Sequence, residues 1–135
     1  MFSGLFQSTT IPVLAEVVSF TQARHTVLAG NIANADTPGY QVRDLSVEDF
    51  QQRLKTAIDA RKQPAATSPG EPAAAKPVVA EVARATPLVL RHDQSNLDME
   101  TQVSEMTKNQ MQYNVALTIM TDQFKMLQSA ISEKV

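Results

Sequence analysis

Residues 99–131 read METQVSEMTKNQMQYNVALTIMTDQFKMLQSAI, and the spacing of their apolar side chains decides what kind of fold this is. Met99, Val103, Met106, Gln110, Tyr113, Leu117, Met120, Phe124, Leu127 and Ile131 alternate steps of four and three without a break. That is the heptad of a helix packing along one seam, and only Gln110 is strongly polar. Ser95 and Asn96 can serve as N-caps, and Asp98 and Glu100 put negative charge in the first turn, where the helix dipole favours it. The expectation is one helix from Leu97 to Glu133, roughly 55 Å long at 1.5 Å per residue. Met111, Val115, Ile119 and Met126 add apolar surface off the seam.

Such a seam needs a partner, and Ile11 to Asn34 supplies the other helical pattern. Pro12 sits where a first turn tolerates it, Thr9 and Thr10 are candidate caps, and Ile11, Leu14, Val18, Leu28 and Ile32 form an apolar stripe with Thr21 and His25 in its middle. This helix spans roughly 36 Å, so it cannot cover the longer seam alone. Among several possible alignments, an antiparallel one places Ile11 opposite Phe124, Val18 opposite Leu117, Ile32 opposite Val103, and His25 with Gln110 as a polar layer that fixes register.

Between the two lie weaker signals. In Thr37-Pro38-Gly39-Tyr40, Pro and Gly at the two central positions suit a type II turn, because glycine takes the positive φ without strain. Ser46 with Asp49 three residues on resembles a capping box, and Val47, Phe50, Leu54 and Ile58 repeat at helical spacing to about Lys62. Five of the seven prolines fall between Pro64 and Pro87, which reads as a mobile loop whose composition cannot offset its ordering entropy. Pro87 to Arg91 has the composition of a short strand. The fold class expected is therefore mainly α: long N- and C-terminal heptad helices forming a coiled coil, a short middle helix, and a Pro/Ala-rich flexible loop with at most a short β segment. The segments are 1–45, 46–62, 63–94 and 95–135, with the terminal ones packed as one discontinuous domain.

Composition removes several function classes. The net charge of -2 offers no basic surface for nucleic acid, and the absence of cysteine excludes disulfides, thiolate metal sites and thiol nucleophiles. Residues 1–7 carry no positive charge and the apolar run 11–20 is broken by Glu16 and Ser19, so no cleavable signal peptide is expected, nor any membrane span. No GxGxxG, GxxxxGK[ST], HExxH or GxSxG motif occurs, and His25 and His92 are isolated from one another. Asp36, Asp44, Glu48 and Asp49 could be gathered for acid–base work or a hard cation, but turn and first-turn positions explain them better. No catalytic residue, cofactor, metal or small-molecule substrate is expected.

Leu28-Ala29-Gly30-Asn31-Ile32-Ala33-Asn34-Ala35-Asp36-Thr37-Pro38-Gly39-Tyr40 resembles the N-terminal signature of bacterial flagellar axial proteins. The continuation Gln41-Val42-Arg43-Asp44-Leu45, with Glu48-Asp49 and Asn96-Leu97-Asp98, is similar to the basal-body rod proteins among them, specifically those of the proximal rod. The resemblance covers residues 1 to about 50 and 94 to 135. It departs at Gly30, where close relatives commonly have Ser; glycine is a poor helix residue, so fraying or a bend is expected there. It implies a structural subunit in which Asn31, Ile32, Ala33, Asn34, Asp36, Thr37, Pro38, Gly39 and Tyr40 set the exit of the first helix. It also implies uncleaved export through the flagellar type III apparatus, and assembly with other rod subunits, a membrane-ring adaptor, the export gate and copies of itself. A different class fits the heptads as well: a soluble coiled-coil adaptor or export chaperone that closes into a dimer through the Met99 to Ile131 seam.

Overall fold

The computed structural model describes residues 10–62, 78–85 and 99–132. Within them the chain forms four helices: α1 (Ile11–Ala33), α2 (Val47–Lys62), α3 (Val78–Ala85) and α4 (Met99–Ser132). The described residues contain no strand, and the mainly α architecture with long terminal helices and a short middle helix is as the periodicity implied.

α1 begins with Pro12 in its first turn. Thr10 stands at the N-cap with near-helical backbone, and its carbonyl accepts from Leu14 N at 3.0 Å, but its hydroxyl makes no cap bond. Thr10 therefore takes the cap position without the side-chain bond expected of it; Thr9 lies outside the described residues. At the other end Gly30 does not end the helix, which continues to Ala33. Asn34 closes it: its N–H and its side-chain Nδ2 both donate to Gly30 O, at 3.1 and 2.8 Å.

α2 starts at Ser46, whose Oγ accepts from Asp49 N at 3.1 Å. Only that half of a capping box is used for the cap, because the Asp49 carboxylate takes Arg53 Nε at 3.0 Å instead.

α3 corrects the sequence reading, which had a loop here. Its residues VVAEVARA are mostly good helix formers, but eight residues alone do not hold a helix in water. Packing supplies the rest: Val78 and Val82, one turn apart, are buried in a cluster with Phe20 of α1, Leu45, and Phe50 of α2. The Phe20 and Phe50 rings stack with centroids 4.0 Å apart and planes 8° apart. Proline density obscured an i, i+4 valine pair that needs partners from other helices. The expected strand 87–91 and the caps Ser95 and Asn96 lie outside the described residues.

α1 and α4 lie antiparallel, in a register different from the one set out above. Asn109 Nδ2 donates to Thr21 O at 2.7 Å, Arg24 Nη2 to Glu105 Oε2 at 3.1 Å and Asn31 Nδ2 to Gln102 Oε1 at 3.0 Å, so paired residue numbers total 130, 129 and 133. The proposed alignment totals 135. A polar layer does sit inside the seam, but it is Thr21 with Asn109, one helical turn before His25 on α1 and next to Gln110 on α4. Thr21 and Asn109 are 1 % exposed, and the Asn109 amide nitrogen finds there the carbonyl partner that a buried donor needs, although its Oδ1 is buried without one.

Candidate functional site

Two features stand out: a hydrogen-bonded knot where α1 leaves the helix pair, and a set of exposed large apolar side chains along α4.

Asn31 is the centre of the knot. Its side chain is fully buried and uses all its bonding capacity. Nδ2 donates to Arg43 O at 2.6 Å and to Gln102 Oε1 at 3.0 Å; Oδ1 accepts from Arg43 N at 3.1 Å and from Tyr40 Oη at 3.2 Å. One amide thus joins α1, the segment after the turn, and α4. The turn itself is as expected: Tyr40 N donates to Thr37 O at 3.2 Å and Gly39 has φ +77°, the type II arrangement. Thr37 N reaches Asn34 O at 3.0 Å. Among the signature residues, Asn31, Asn34 and Tyr40 are tied down by side-chain bonds. Ile32 is half-buried, and Ala33, Asp36, Thr37, Pro38 and Gly39 are exposed.

A second connection lies two turns earlier. Arg24, 6 % exposed, meets Asp44 as a fork, Nε to Oδ1 at 2.8 Å and Nη2 to Oδ2 at 2.6 Å, and also reaches Glu105. The Asp44 hydrogen bond, against the opposing effect of burial, holds the guanidinium's pKa above its ordinary value. Lys108, and then Arg24, hold the Glu105 carboxyl below its ordinary 4.5. Sequence reasoning passed over Arg24, Gln102 and Asn109. A signal existed: Thr21, Arg24, Leu28 and Asn31 are all buried and themselves keep 3,4,3 spacing.

The α4 seam is rotated from the one the apolar pattern marked. Met106, Tyr113, Leu117, Met120 and Leu127 are half-buried as that reading required, but Met99, Val103, Phe124 and Ile131 are exposed. The buried row beside Met106 and Tyr113 is instead Asn109 and Ala116, with Gln102 and Gln123 half-buried in line with them. α1 lies along the polar and small flank and leaves the apolar flank open. In α1, Ile11 and Leu28 are buried, and Leu14, Val18 and Ile32 are half-buried. Off the seam Met111, Val115, Ile119 and Met126 are exposed too, so every exposed large apolar side chain among the described residues belongs to α4.

The four carboxylates considered as a cluster are dispersed. Asp44 serves Arg24, Asp49 serves Arg53, Glu48 Oε2 accepts from Ser46 Oγ at 3.4 Å, and Asp36 is exposed. His25 is half-buried, and His92 lies outside the described residues. Among the described residues no helix is long and apolar enough to cross a membrane.

The chain is similar in sequence to known proteins. The family described as "Flagella basal body rod protein" matches residues 19–41, the stretch that runs from Ser19 through Arg24 and Asn31 to the turn. The flagellar basal body rod protein FlgB of Escherichia coli K12 is 36% identical over 118 residues, 82% of this chain and 83% of that protein. FlgB of Salmonella typhimurium LT2 is 31% identical over 120 residues, 82% and 83% of the two chains. FlgB of Aquifex aeolicus VF5 is 64% identical over 28 residues, 21% of this chain and 23% of that one.

Proposed function

The chain belongs to the family of the flagellar basal body rod protein FlgB and is a structural subunit of the basal-body rod; from that premise we propose that it stands in the proximal rod and transmits torque through helix seams shared with its neighbours. It belongs to the basal body and assembles there with other rod components. The observation that carries the reading is the open face of α4. Eight large apolar side chains on one helix of a small chain make a surface that is stable only when covered, and the Asn31 and Arg24 connections hold that helix at a set angle to the turn. Head-to-tail contacts between different faces are what a continuing assembly requires, and no bond-making chemistry is involved.

The membrane-ring adaptor and the export gate are the partners proposed at the base of this assembly, with uncleaved passage through the flagellar type III apparatus as its route there. A closed dimer through the Met99 to Ile131 seam is not favoured, since half of that seam is already half-buried within the chain.

The test is deletion of the reading frame in the source bacterium, with flagella counted by electron microscopy and swimming measured with and without the restored gene. Hook and filament should be lost together and return with the gene; normal flagella in the deletion strain would overturn the reading. Met111→Asp with Val115→Asp should fail to restore swimming although the purified chain keeps its helix content.

A further inference from the structure

The apolar cluster beside α1 is built from separate parts of the chain, and they are not equally self-sufficient. α1 and α2 meet through the stack of Phe20 on Phe50, with Leu45 beside it. α3 then adds Val78 and Val82, which are 8 % and 0 % exposed, although the helix that carries them has only eight residues. Side chains of so short a helix are closed off only by what it lies against. Phe20, Leu45 and Phe50 therefore line a recess that takes one pair of valines at i and i+4, with Leu54 and Val79 packed at its edge. This is helix-in-groove recognition, in which the ligand is a segment too short to stay helical unless it is docked.

The connections to α3 are longer than this docking needs. Residues 63–77 join it to α2 and residues 86–98 join it to α4; at roughly 3.3 Å per residue these can span about 50 Å and about 43 Å. From Phe50 to Lys62 along α2 is roughly 18 Å. Asn31 is bonded to Gln102, so Met99 stands near the level of Asn34, roughly 21 Å from Phe20 along α1. Each connection is thus about twice as long as its own groove requires, or longer.

We infer that this groove is a docking site between copies of the chain: α3 of one copy enters the groove of a second, and in a free subunit the chain's own α3 holds the same place. The fit requires no new complementarity, because the second copy presents the same Val78 and Val82. Only the local concentration differs. In an isolated chain the tether favours its own helix, whereas a neighbour's helix competes once copies stand within reach of the connections. Exchange of α3 links subunits without using the exposed side chains of α4, and it is independent of the rod assignment.

The chain has no cysteine, so thiols can be placed one at a time in the full-length protein. Leu54→Cys marks the groove and Val79→Cys marks α3. The two single variants are mixed and treated with a short bis-maleimide, and a chain carrying both substitutions measures docking within one copy. Met111→Cys in place of Val79→Cys measures chance encounters. The double variant should link internally at every protein concentration. The mixed pair should give a linked dimer with one chain of each kind, about tenfold above the Met111→Cys background at high concentration. That dimer should be lost when Val82→Asp is added to the Val79→Cys chain, a change that alters the ligand and leaves the groove-bearing chain native. Internal linkage with no mixed dimer above background overturns the inference, since the groove then serves only its own chain. A mixed dimer that survives Val82→Asp overturns it too, because the contact would not be docking of the valine pair. Absence of both linkages would mean that α3 does not occupy the groove, with the same consequence.

Discussion

The two sides of α1 do different jobs. The side toward α2 and α3 is apolar: Phe20 stacks on Phe50, and Leu45, Val78 and Val82 close around them. The side toward α4 is polar at each level where a bond is seen, Thr21 with Asn109, Arg24 with Glu105, and Asn31 with Gln102. Apolar burial is strong but indifferent to register, because one methylene packs about as well as the next. Buried polar groups contribute less net energy, yet they penalise every misaligned arrangement by leaving a donor or acceptor unpaired. One side of α1 therefore supplies stability and the other supplies alignment.

The largest expected effect tests the apolar side. Phe20→Ala removes one ring of the stack and should cost about 4 kcal/mol in urea unfolding followed by circular dichroism. A smaller loss than that of any polar variant would break the comparison. Next comes Asn31→Ala, which frees the partners of four hydrogen bonds at once and should cost about 3 kcal/mol. It should also release the turn from α4, read as faster amide exchange at Tyr40 and Arg43.

Arg24→Met keeps the stem and removes the fork. Its carboxylate partners are partly exposed, Asp44 35 % and Glu105 29 % at the side chain, so the expected loss is about 2 kcal/mol, less than for a sealed ion pair. Glu105, held first by Lys108 and then by Arg24, gives a pH dependence. Because the folded chain holds Glu105 below its ordinary 4.5, its contribution is complete above pH 4.5 and disappears as pH falls through the folded value. Stability of the native chain should fall more steeply below pH 4.5 than that of Arg24→Met; parallel curves would remove Arg24 from the account.

The smallest effect has the opposite sign. A Cβ at Gly30 would meet only Tyr40 Oη, at 3.9 Å, an ordinary contact. Gly30→Ala should therefore stabilise α1 by about 0.5–1 kcal/mol. A loss would mean that the approach of Tyr40 to the helix needs the missing side chain.

How much of this was legible depends on whether a signal is local. The turn at Thr37–Tyr40 is one of the clearest features of the sequence, because Pro38 and Gly39 restrict their own backbone whatever surrounds them. Ser46 could be read as a cap for the same reason. Val78 and Val82 could not be read as a helix, since their partners, Phe20 and Phe50, are contributed by segments far along the chain. Arg24 was invisible as a site residue because neither carboxylate that holds it is its sequence neighbour.

The sequence by itself determined that this is a chain of long amphipathic helices closed by a glycine turn, since helical period and positive φ are properties of neighbouring residues. Only the tertiary structure decided which flank of α4 meets α1. Apolar spacing marked Met99, Val103, Phe124 and Ile131 as part of the seam, yet α1 presents the Thr21 carbonyl, Arg24 and Asn31 to α4, where Asn109, Glu105 and Gln102 bond to them. Pairing the Thr21 carbonyl, Arg24 and Asn31 across the seam offsets the cost of burying them, and that register leaves exposed apolar side chains on α4.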